Sequence, residues 1–166
     1  MQDTANLLTL SLNLQAIDMR ICGVELKGAE AIICLLDYER GAFSVADCRQ
    51  RQLSVSQPSE TEAIRGFQFT FSKLVDDYKI EQIVIIERMQ KGKFAGSAAS
   101  FKFEAALQLL DLPVSLLNPT TIKELIKRNP LDVSIEELGL KKFQQGAFSV
   151  AYAEQNRIIY QSDSTE

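Results

Sequence analysis

Histidine is absent from this sequence of 166 residues, and cysteine is scarce. Without histidine, the Ser-His and Cys-His pairs that activate nucleophiles are excluded, as are metal sites with imidazole ligands. The three cysteines are odd in number and widely spaced, which is typical neither of a disulfide framework nor of a zinc cluster. Any catalysis by this chain must therefore use carboxylates, lysines, hydroxyls or a metal ion that prefers oxygen ligands.

Long hydrophobic runs are also missing. No segment approaches the roughly 20 apolar residues that span a bilayer, and the N-terminus lacks the basic region and cleavage site of a signal peptide. We therefore expect a cytoplasmic protein with no membrane partner. Strong patterning begins after Met19, so residues 1–18 are either a flexible extension or lie before the native start. One domain is expected over residues 19–156, followed by a polar tail over residues 157–166.

The net charge does not by itself favour nucleic acid as a partner, because 18 basic and 22 acidic residues give −4. The charge is uneven along the chain, however. Residues 1–87 contain 8 basic and 13 acidic residues, whereas residues 88–142 contain 9 basic and 6 acidic residues. The second region is therefore compatible with a partner that carries phosphate groups.

Alternating apolar residues predict a first strand over residues 20–26. One face of this strand carries Cys22, Val24 and Leu26, and the other carries Ile21, Gly23 and Glu25. A turn at residues 27–30 and an apolar segment at residues 31–38 complete a hairpin. A third strand is expected at "AFSVAD" or at "RQLSV", and later strands at residues 82–87 and at "PVSLLN".

Capping patterns and helical periodicity predict the helices. Ser59 and Glu62 stand in capping-box spacing before a helix that runs through Tyr78. A second helix is expected over residues 97–110, and a third begins with Asn118 as cap and Pro119 in its first turn. The last helix is expected over residues 140–156. One of its faces should pack tightly on the sheet, and it is formed by Phe143, Ala147, Val150, Ala151 and Glu154.

The resulting order predicts an α/β protein with a mixed five-stranded sheet, three antiparallel strands being followed by two parallel ones, and helices on both faces. This order matches the ribonuclease H-like fold. Because the first and fourth strands are neighbours in that fold, Glu25 and Glu87 should approach each other.

Two carboxylates on neighbouring strands repel each other unless a cation or a shared proton relieves them. Oxygen ligands without histidine select Mg²⁺ or Mn²⁺, and such ions can clamp a phosphodiester. The plainer alternative is that Glu87 ends its strand in water, and that Glu25 lies on an edge strand or pairs with Lys27. The residues alone leave both interpretations open.

The segment after Glu87, "RMQKGKFAGSAASFK", contains four cations and no acid. Lys91, Lys93 and the Gly92 amide can hold a phosphate group. Lys27 and Lys123 are further candidates for phosphate binding, the second in a helix with other cations. A solvated basic surface is the alternative for each of these lysines.

Three segments, "MRICGVELKGAEAIICLL", "VIIERMQKGKFAGSAASFKFEAALQL" and "LNPTTIKELIKRNP", resemble a bacterial family of unknown function in the ribonuclease H-like superfamily, near the Holliday-junction resolvases. The resemblance runs from about residue 19 to residue 154. It implies that Glu25 and Glu87 are catalytic metal ligands, because these resolvases carry an acid in the first strand and a glutamate at the end of the fourth. They also carry one or two aspartates at the start of the final helix, where this chain has none. The alternatives for a third ligand are Glu62, Glu104, Gln144 and Gln145.

Two functions therefore stand side by side. One is a Mg- or Mn-dependent nuclease, resolvase-like, that acts on structured nucleic acid. The other is a non-catalytic relative that binds DNA, RNA or a protein through its basic surface. A nucleotide-handling protein is disfavoured, because the paired glycine-rich phosphate loops of that class are missing. The resemblance to resolvases is also compatible with a homodimer.

Overall fold

The computed structural model describes residues 18–163, and side chains from residue 18 to residue 161. Most of the predicted extension, residues 1–17, and the end of the predicted tail, residues 164–166, lie outside the described residues. Within the described range the elements are β1 (Met19–Lys27), β2 (Glu30–Glu39), β3 (Ala42–Val45), β4 (Gln52–Ser54), α1 (Thr61–Tyr78), β5 (Gln82–Ile86), α2 (Ala98–Gln108), β6 (Val114–Leu117), α3 (Pro119–Arg128), a short 3-10 helix (Lys142–Gln144) and α4 (Gln145–Asp163).

The strands form one mixed sheet in the order β3-β2-β1-β5-β6, and β4 also pairs with β2. The hairpin β1–β2 is antiparallel, whereas β5 is parallel to both β1 and β6. The predicted mixed α/β fold is therefore confirmed. The single third strand is corrected: both candidate segments are strands, β3 at one end of β2 and β4 at the other, so the sheet has six strands among the described residues and not the predicted five. The chain leaves the edge of β2 only over residues 47–50, because the Ala46 N–H still donates to the Leu35 carbonyl and the Arg51 carbonyl accepts from the Ile33 N–H.

The central strand β1 is buried on both faces. Its side chains Cys22, Val24 and Leu26 belong to the core under α1 and α2, and Ile21 belongs to the core under α4. The predicted assignment of the two faces is confirmed. Gly23 lies directly under α4, where an added Cβ would overlap the carbonyl oxygen of Ala147.

The predicted packing face of the last helix is correct except for its first member. Ala147, Val150, Ala151 and Glu154 are fully buried. Phe143 is 44% exposed, because it lies in the 3-10 turn before α4 and not in the helix itself. The helix also continues beyond the predicted end, to Asp163.

The start of α1 differs from the predicted capping box. The helix begins at Thr61 after Glu60, which makes no side-chain capping hydrogen bond. Glu62 instead pairs with Arg65 at 3.0 Å on the surface. The cap of α3 is confirmed, because the Asn118 side chain accepts a hydrogen bond from the Thr121 N–H at 2.8 Å.

Among the described residues, no helix has the length and apolar character needed to cross a membrane.

Candidate functional site

The candidate site lies at the edge of the sheet where β1, β5 and β6 end. In the parallel pair β1–β5, Val24 lies opposite Ile85. Glu25 follows Val24 directly, and Glu87 follows Ile86 at the end of β5. The pairing of the two strands therefore brings both glutamates to neighbouring positions at this edge. The alternative that placed Glu25 on an edge strand is wrong, because β1 lies between β2 and β5.

The Glu25 side chain lies on the α4 face of the sheet. It is partly buried, and its carboxylate contacts Gly146 in the first turn of α4. A Cβ added at Gly146 would overlap the Oε2 atom of Glu25, so the absence of a side chain at this position makes room for the carboxylate. The N-terminus of a helix carries a partial positive charge, which stabilises a carboxylate placed there.

Glu87 is exposed, but its backbone is held on both sides. Its N–H donates to the carbonyl oxygen of Leu117 at 2.8 Å, which links the end of β5 to the end of β6. The preceding carbonyl, that of Ile86, accepts a hydrogen bond from Arg88 at 2.7 Å. The position of Glu87 is thus fixed while its carboxylate points away from the core.

Neither carboxylate has a protein partner among residues 18–161. No hydrogen bond or ion pair of the Glu25 or Glu87 side chain joins it to another side chain there. The alternative that pairs Glu25 with Lys27 is therefore not what the structure shows. Lys27 is exposed at the end of β1, opposite Glu30 in the hairpin.

Residues 88–97, called the basic loop below, connect the end of β5 at this edge to the start of α2. Met89 and Ala95 form an isolated bridge, and the Gly96 N–H donates to the Met89 carbonyl at 2.8 Å. The tip between them carries Lys91 and Lys93, both exposed. Gly92 at the tip has a φ of 99°, a conformation that favours glycine.

The far end of the basic loop returns to the same edge. The Ser97 hydroxyl donates to the carbonyl oxygen of Gly28 in the β1–β2 turn at 2.7 Å. Lys27 precedes that turn, so it shares the edge with the loop lysines. Lys123 is exposed on α3, but no described contact brings it to Glu25 or Glu87.

The sequence did not lead us to predict Phe94, at the loop tip, as a candidate functional residue. Its side chain is 82% exposed, and the Lys93 Nζ atom lies 5.9 Å from the centre of its ring. Phenylalanine in a sequence usually indicates a core position. The indication available in the sequence was its position, which follows Lys91 and Lys93, precedes Gly96 and lies outside any helical or strand pattern.

The four alternatives for a third ligand are separated by the structure. Glu62 is on α1, which packs on the face of the sheet opposite to Glu25, and Glu104 is paired with Arg88. The amide of Gln144 is used twice: its oxygen accepts from the Lys141 N–H at 2.9 Å, and its nitrogen donates to the Ile33 carbonyl at 3.0 Å. Gln145 is exposed and directly precedes Gly146, against which Glu25 lies. Only Gln145 is thus both near Glu25 and available.

The donor set fits an ion that retains water. Among residues 18–161, no three acidic or cysteine side chains lie close enough together to hold a metal ion. Mg²⁺ commonly binds through one or two carboxylates and completes its shell with water and substrate phosphates. Glu25 and Glu87 meet that description, whereas a closed all-protein cage would need more carboxylates.

The cysteines do not contribute to this site. Burial raises the pKa of Cys34 to about 12 and raises the pKa of Cys22 well above its usual value. The pKa of Cys48 is also raised, mainly by burial. These thiols therefore stay protonated at neutral pH, and none is an activated nucleophile.

Solved structures share this fold. The structure of Thermus thermophilus RuvC matches with a TM-score of 0.67 and 14% identity, over 86% of this chain and 97% of that chain. The same protein in complex with Holliday junction substrate matches with a TM-score of 0.63 and 12% identity, over 84% and 94%. The yeast mitochondrial Holliday junction resolvase Ydc2 matches with a TM-score of 0.50 and 13% identity, over 86% and 83%. The fold is therefore the ribonuclease H-like fold of the resolvases, as the sequence predicted.

At the level of sequence, no curated protein matches the chain significantly. A family model does match, over residues 19–154, and its description is "Protein of unknown function (DUF3010)". This match covers all six strands and the first half of α4, including both glutamates and the basic loop. The chain therefore belongs to the DUF3010 family, and it has the ribonuclease H-like fold.

Proposed function

We propose that this protein is a metal-dependent nuclease that acts on structured nucleic acid. One observation carries the proposal: the neighbouring central strands β1 and β5 bring Glu25 and Glu87 to the same edge of the sheet, beside the basic loop, and neither carboxylate has a protein partner among the described residues. Carboxylates placed together in this way are relieved by a cation. The nearby lysines suit the phosphate groups of a polyanion.

The roles of the residues follow from their positions. Glu25 and Glu87 would hold Mg²⁺ or Mn²⁺, and Gln145 would add a neutral oxygen ligand. When bound, such an ion polarises a phosphodiester and lowers the pKa of water. Lys91 and Lys93 would bind a phosphate of the substrate, and Lys27 a phosphate on the other side of the Gly28 turn. Phe94 would stack on an unpaired base, since aromatic side chains do so with any base.

The choice of substrate to test first comes from the fold. The Thermus thermophilus RuvC structure that includes a Holliday junction substrate is similar over most of this chain. An exposed aromatic residue directly after the loop lysines also suits a branched nucleic acid, where bases are unpaired more readily than in a continuous duplex. A four-way DNA junction is therefore the first substrate to test.

The test is cleavage of a labelled four-way junction in Mn²⁺ by the wild type and by Glu87→Gln. The variant keeps the shape of the side chain but removes its charge, so cleavage should fall at least about 100-fold. The matched control is Glu124→Gln, the same change at an exposed position of α3. It should cleave like the wild type. Equal cleavage by Glu87→Gln and the wild type would contradict the proposal.

A second function is favoured by one specific observation, the lack of a third clustered carboxylate among residues 18–161. The protein would then bind nucleic acid through the basic loop without cleaving it. Binding would survive Glu25→Gln and Glu87→Gln, and it would weaken in Lys91→Ala and Lys93→Ala. Fluorescence anisotropy with a labelled junction, with and without Mn²⁺, separates the two functions.

A further inference from the structure

Arg88 is a cation of the basic loop in the sequence, but its side chain turns into the protein. Only 12% of the side chain is exposed. Its Nη2 atom lies 3.1 Å from the Glu104 carboxylate of α2, which is itself only 16% exposed. The charge of Arg88 is therefore balanced inside the fold, and the loop presents less positive charge than its sequence suggests.

The guanidinium joins the end of β5 to the beginning of α2. Nη1 donates to the carbonyl oxygen of Ile86 at 2.7 Å, and Nε donates to the Ser100 hydroxyl at 3.1 Å. Nη2 donates to Glu104 at 3.1 Å and, at 3.4 Å, to the Ser100 carbonyl. The guanidinium carbon also lies 4.8 Å from the centre of the Phe101 ring. Since an arginine has five N–H donors, little is left for a phosphate.

The returning end of the loop is fitted to the same side chain. A Cβ added at Gly96 would lie 3.0 Å from the Arg88 Cβ and 3.0 Å from the Ser100 hydroxyl oxygen. Glycine at this position therefore avoids a crowded contact, which a side chain could fit only if Arg88 or Ser100 shifted by a few tenths of an ångström. It places the chain against the Arg88 stem, where the Gly96 N–H reaches the Met89 carbonyl. Both ends of the basic loop thus depend on where Arg88 lies.

We infer that Arg88 is a positioning residue which, with Glu104, fixes the backbone around Glu87 and presents the loop tip, instead of contacting phosphate. Glu87 stands between two anchored groups, since its own N–H is bonded to Leu117 and the carbonyl before it is bonded to Arg88. Loss of the guanidinium frees one of these anchors and the base of the loop together. The consequences for metal and nucleic acid rest on the function proposed above, whereas the ordering of the loop does not.

The experiment compares Arg88→Met, Arg88→Lys and a matched control. Methionine keeps an apolar stem on Phe101 but removes every donor, and lysine keeps the charge without the planar fork. Arg65→Met is the control, because Arg65 forms a similar ion pair with Glu62 at 3.0 Å, but one that is exposed and on α1. Three quantities are measured: amide hydrogen exchange, Mn²⁺ affinity by calorimetry, and the salt dependence of binding to a four-way DNA junction.

In Arg88→Met, the Glu87 and Gly96 amides should exchange at least about tenfold faster, while amides within β1 and β5 stay protected. Mn²⁺ affinity should fall about tenfold, as when a group that orients a ligand is lost. Junction binding should weaken with an unchanged salt slope, since no phosphate contact is removed. Arg88→Lys should lie between the wild type and Arg88→Met, and Arg65→Met should match the wild type in all three measurements.

Three outcomes would overturn the inference. Unchanged exchange at Glu87 and Gly96 would mean that Arg88 does not order the loop. Faster exchange with unaltered Mn²⁺ and junction affinities would leave the ion pair a purely structural one. A salt slope lowered as much as in Lys91→Ala would show that Arg88 contacts phosphate. If the wild type itself binds neither Mn²⁺ nor the junction, the proposed function fails, and hydrogen exchange alone then decides whether Arg88 positions the loop. Should Arg88→Met fail to fold, Arg88→Lys and Glu104→Gln give the same comparison.

Discussion

The carboxylates at one end of the central strands have hydrogen-bond partners, and those at the other end have none among the described residues. Where β1 begins, Arg20 donates to both carboxylate oxygens of Asp37, at 2.6 and 2.9 Å, and to the Tyr78 carbonyl at 2.6 Å. Glu81, just before β5, accepts a hydrogen bond from the Arg20 N–H at 3.1 Å. Where β1 and β5 end, Glu25 and Glu87 have no such partners among residues 18–161. The start of β1 is thus tied to β2 by an ion pair and to the residue before β5 by a hydrogen bond, whereas the ends of β1 and β5 carry unpaired carboxylates.

Under the proposed function, the paired end stabilises the fold and the unpaired end binds a ligand. Charges between neighbouring strands are normally paired, because an unpaired carboxylate that is partly removed from water is costly. A site that binds a cation or an anion has the opposite requirement, since its charges must be free in the absence of the ligand. The unpaired end also carries the basic loop, and the paired end has no comparable basic loop among the described residues.

The largest expected difference concerns Mn²⁺. A ligand present at 100 times its Kd raises the free energy of unfolding by about 2.7 kcal/mol, which for a domain of this size corresponds to a Tm increase of roughly 5–10 °C. Mn²⁺ should therefore raise the Tm of the wild type and leave that of Glu25→Gln unchanged in differential scanning calorimetry. Asp37→Asn, at the paired end, should keep the Mn²⁺ effect. An equal loss in both variants would remove the distinction between the ends.

The next effect is on stability without metal. Asp37→Asn should lower the free energy of unfolding by about 1–2 kcal/mol, because it weakens charge-assisted hydrogen bonds that are only partly screened by water. Glu87→Gln should change it by less than about 0.5 kcal/mol, since that carboxylate has no partner to lose. Urea denaturation at neutral pH gives both values. A Glu87→Gln variant as unstable as Asp37→Asn would reveal a structural role for Glu87.

The stability that Arg20 contributes to the fold should not depend on pH near neutrality. The hydrogen bond to Asp37 raises the pKa of Arg20. A raised pKa in the folded state contributes stability that is fully present below the unfolded-state pKa and is lost only when the pH rises through the folded value. Because arginine titrates far above neutrality, wild type and Arg20→Met should differ in stability by a constant amount between about pH 6 and pH 9. Denaturant titrations across that range would detect a departure from this constancy.

A smaller effect is expected from Gly146→Ala. The new Cβ would take the place of the Glu25 Oε2 atom, so the carboxylate must leave the first turn of α4. Mn²⁺ affinity should fall about tenfold by calorimetry, although both proposed carboxylate ligands are still present. The matched control is Gly66→Ala in α1, where an added Cβ meets nothing within 4 Å. It should stabilise the protein by up to about 1 kcal/mol through helix propensity and leave Mn²⁺ binding unchanged.

The smallest effect is expected from Lys91→Ala. Removal of one phosphate contact should lower the slope of log affinity against log salt by about 0.9 for duplex arms. The Tm should not change, because the side chain is exposed at the loop tip. Junction binding at several salt concentrations measures the slope, and Lys73→Ala on α1 is the control. An unchanged slope in Lys91→Ala would take the loop tip out of the binding surface.

Local patterns in the sequence predicted most of the fold correctly. The alternation of β1 gave the correct faces for Glu25 and for the two cores, because side-chain direction in a strand follows from position alone. The cap at Asn118 was equally local, since it joins residues three positions apart. Local patterns misled where a competing contact existed: the predicted box at Ser59 is missing, and Glu62 pairs with Arg65 instead.

The sequence by itself determined most of the order of the elements, the central position of β1 and the side of the sheet on which Glu25 lies. The tertiary structure decided which polar groups are available there. Arg88 is engaged by Glu104, sixteen residues away, and Gln144 by the Ile33 backbone, 111 residues away. Gln145 and Phe94 are left exposed. The physical reason is one of range: the direction of a side chain is set by its own backbone, whereas its freedom to bind depends on partners that folding brings from distant parts of the chain.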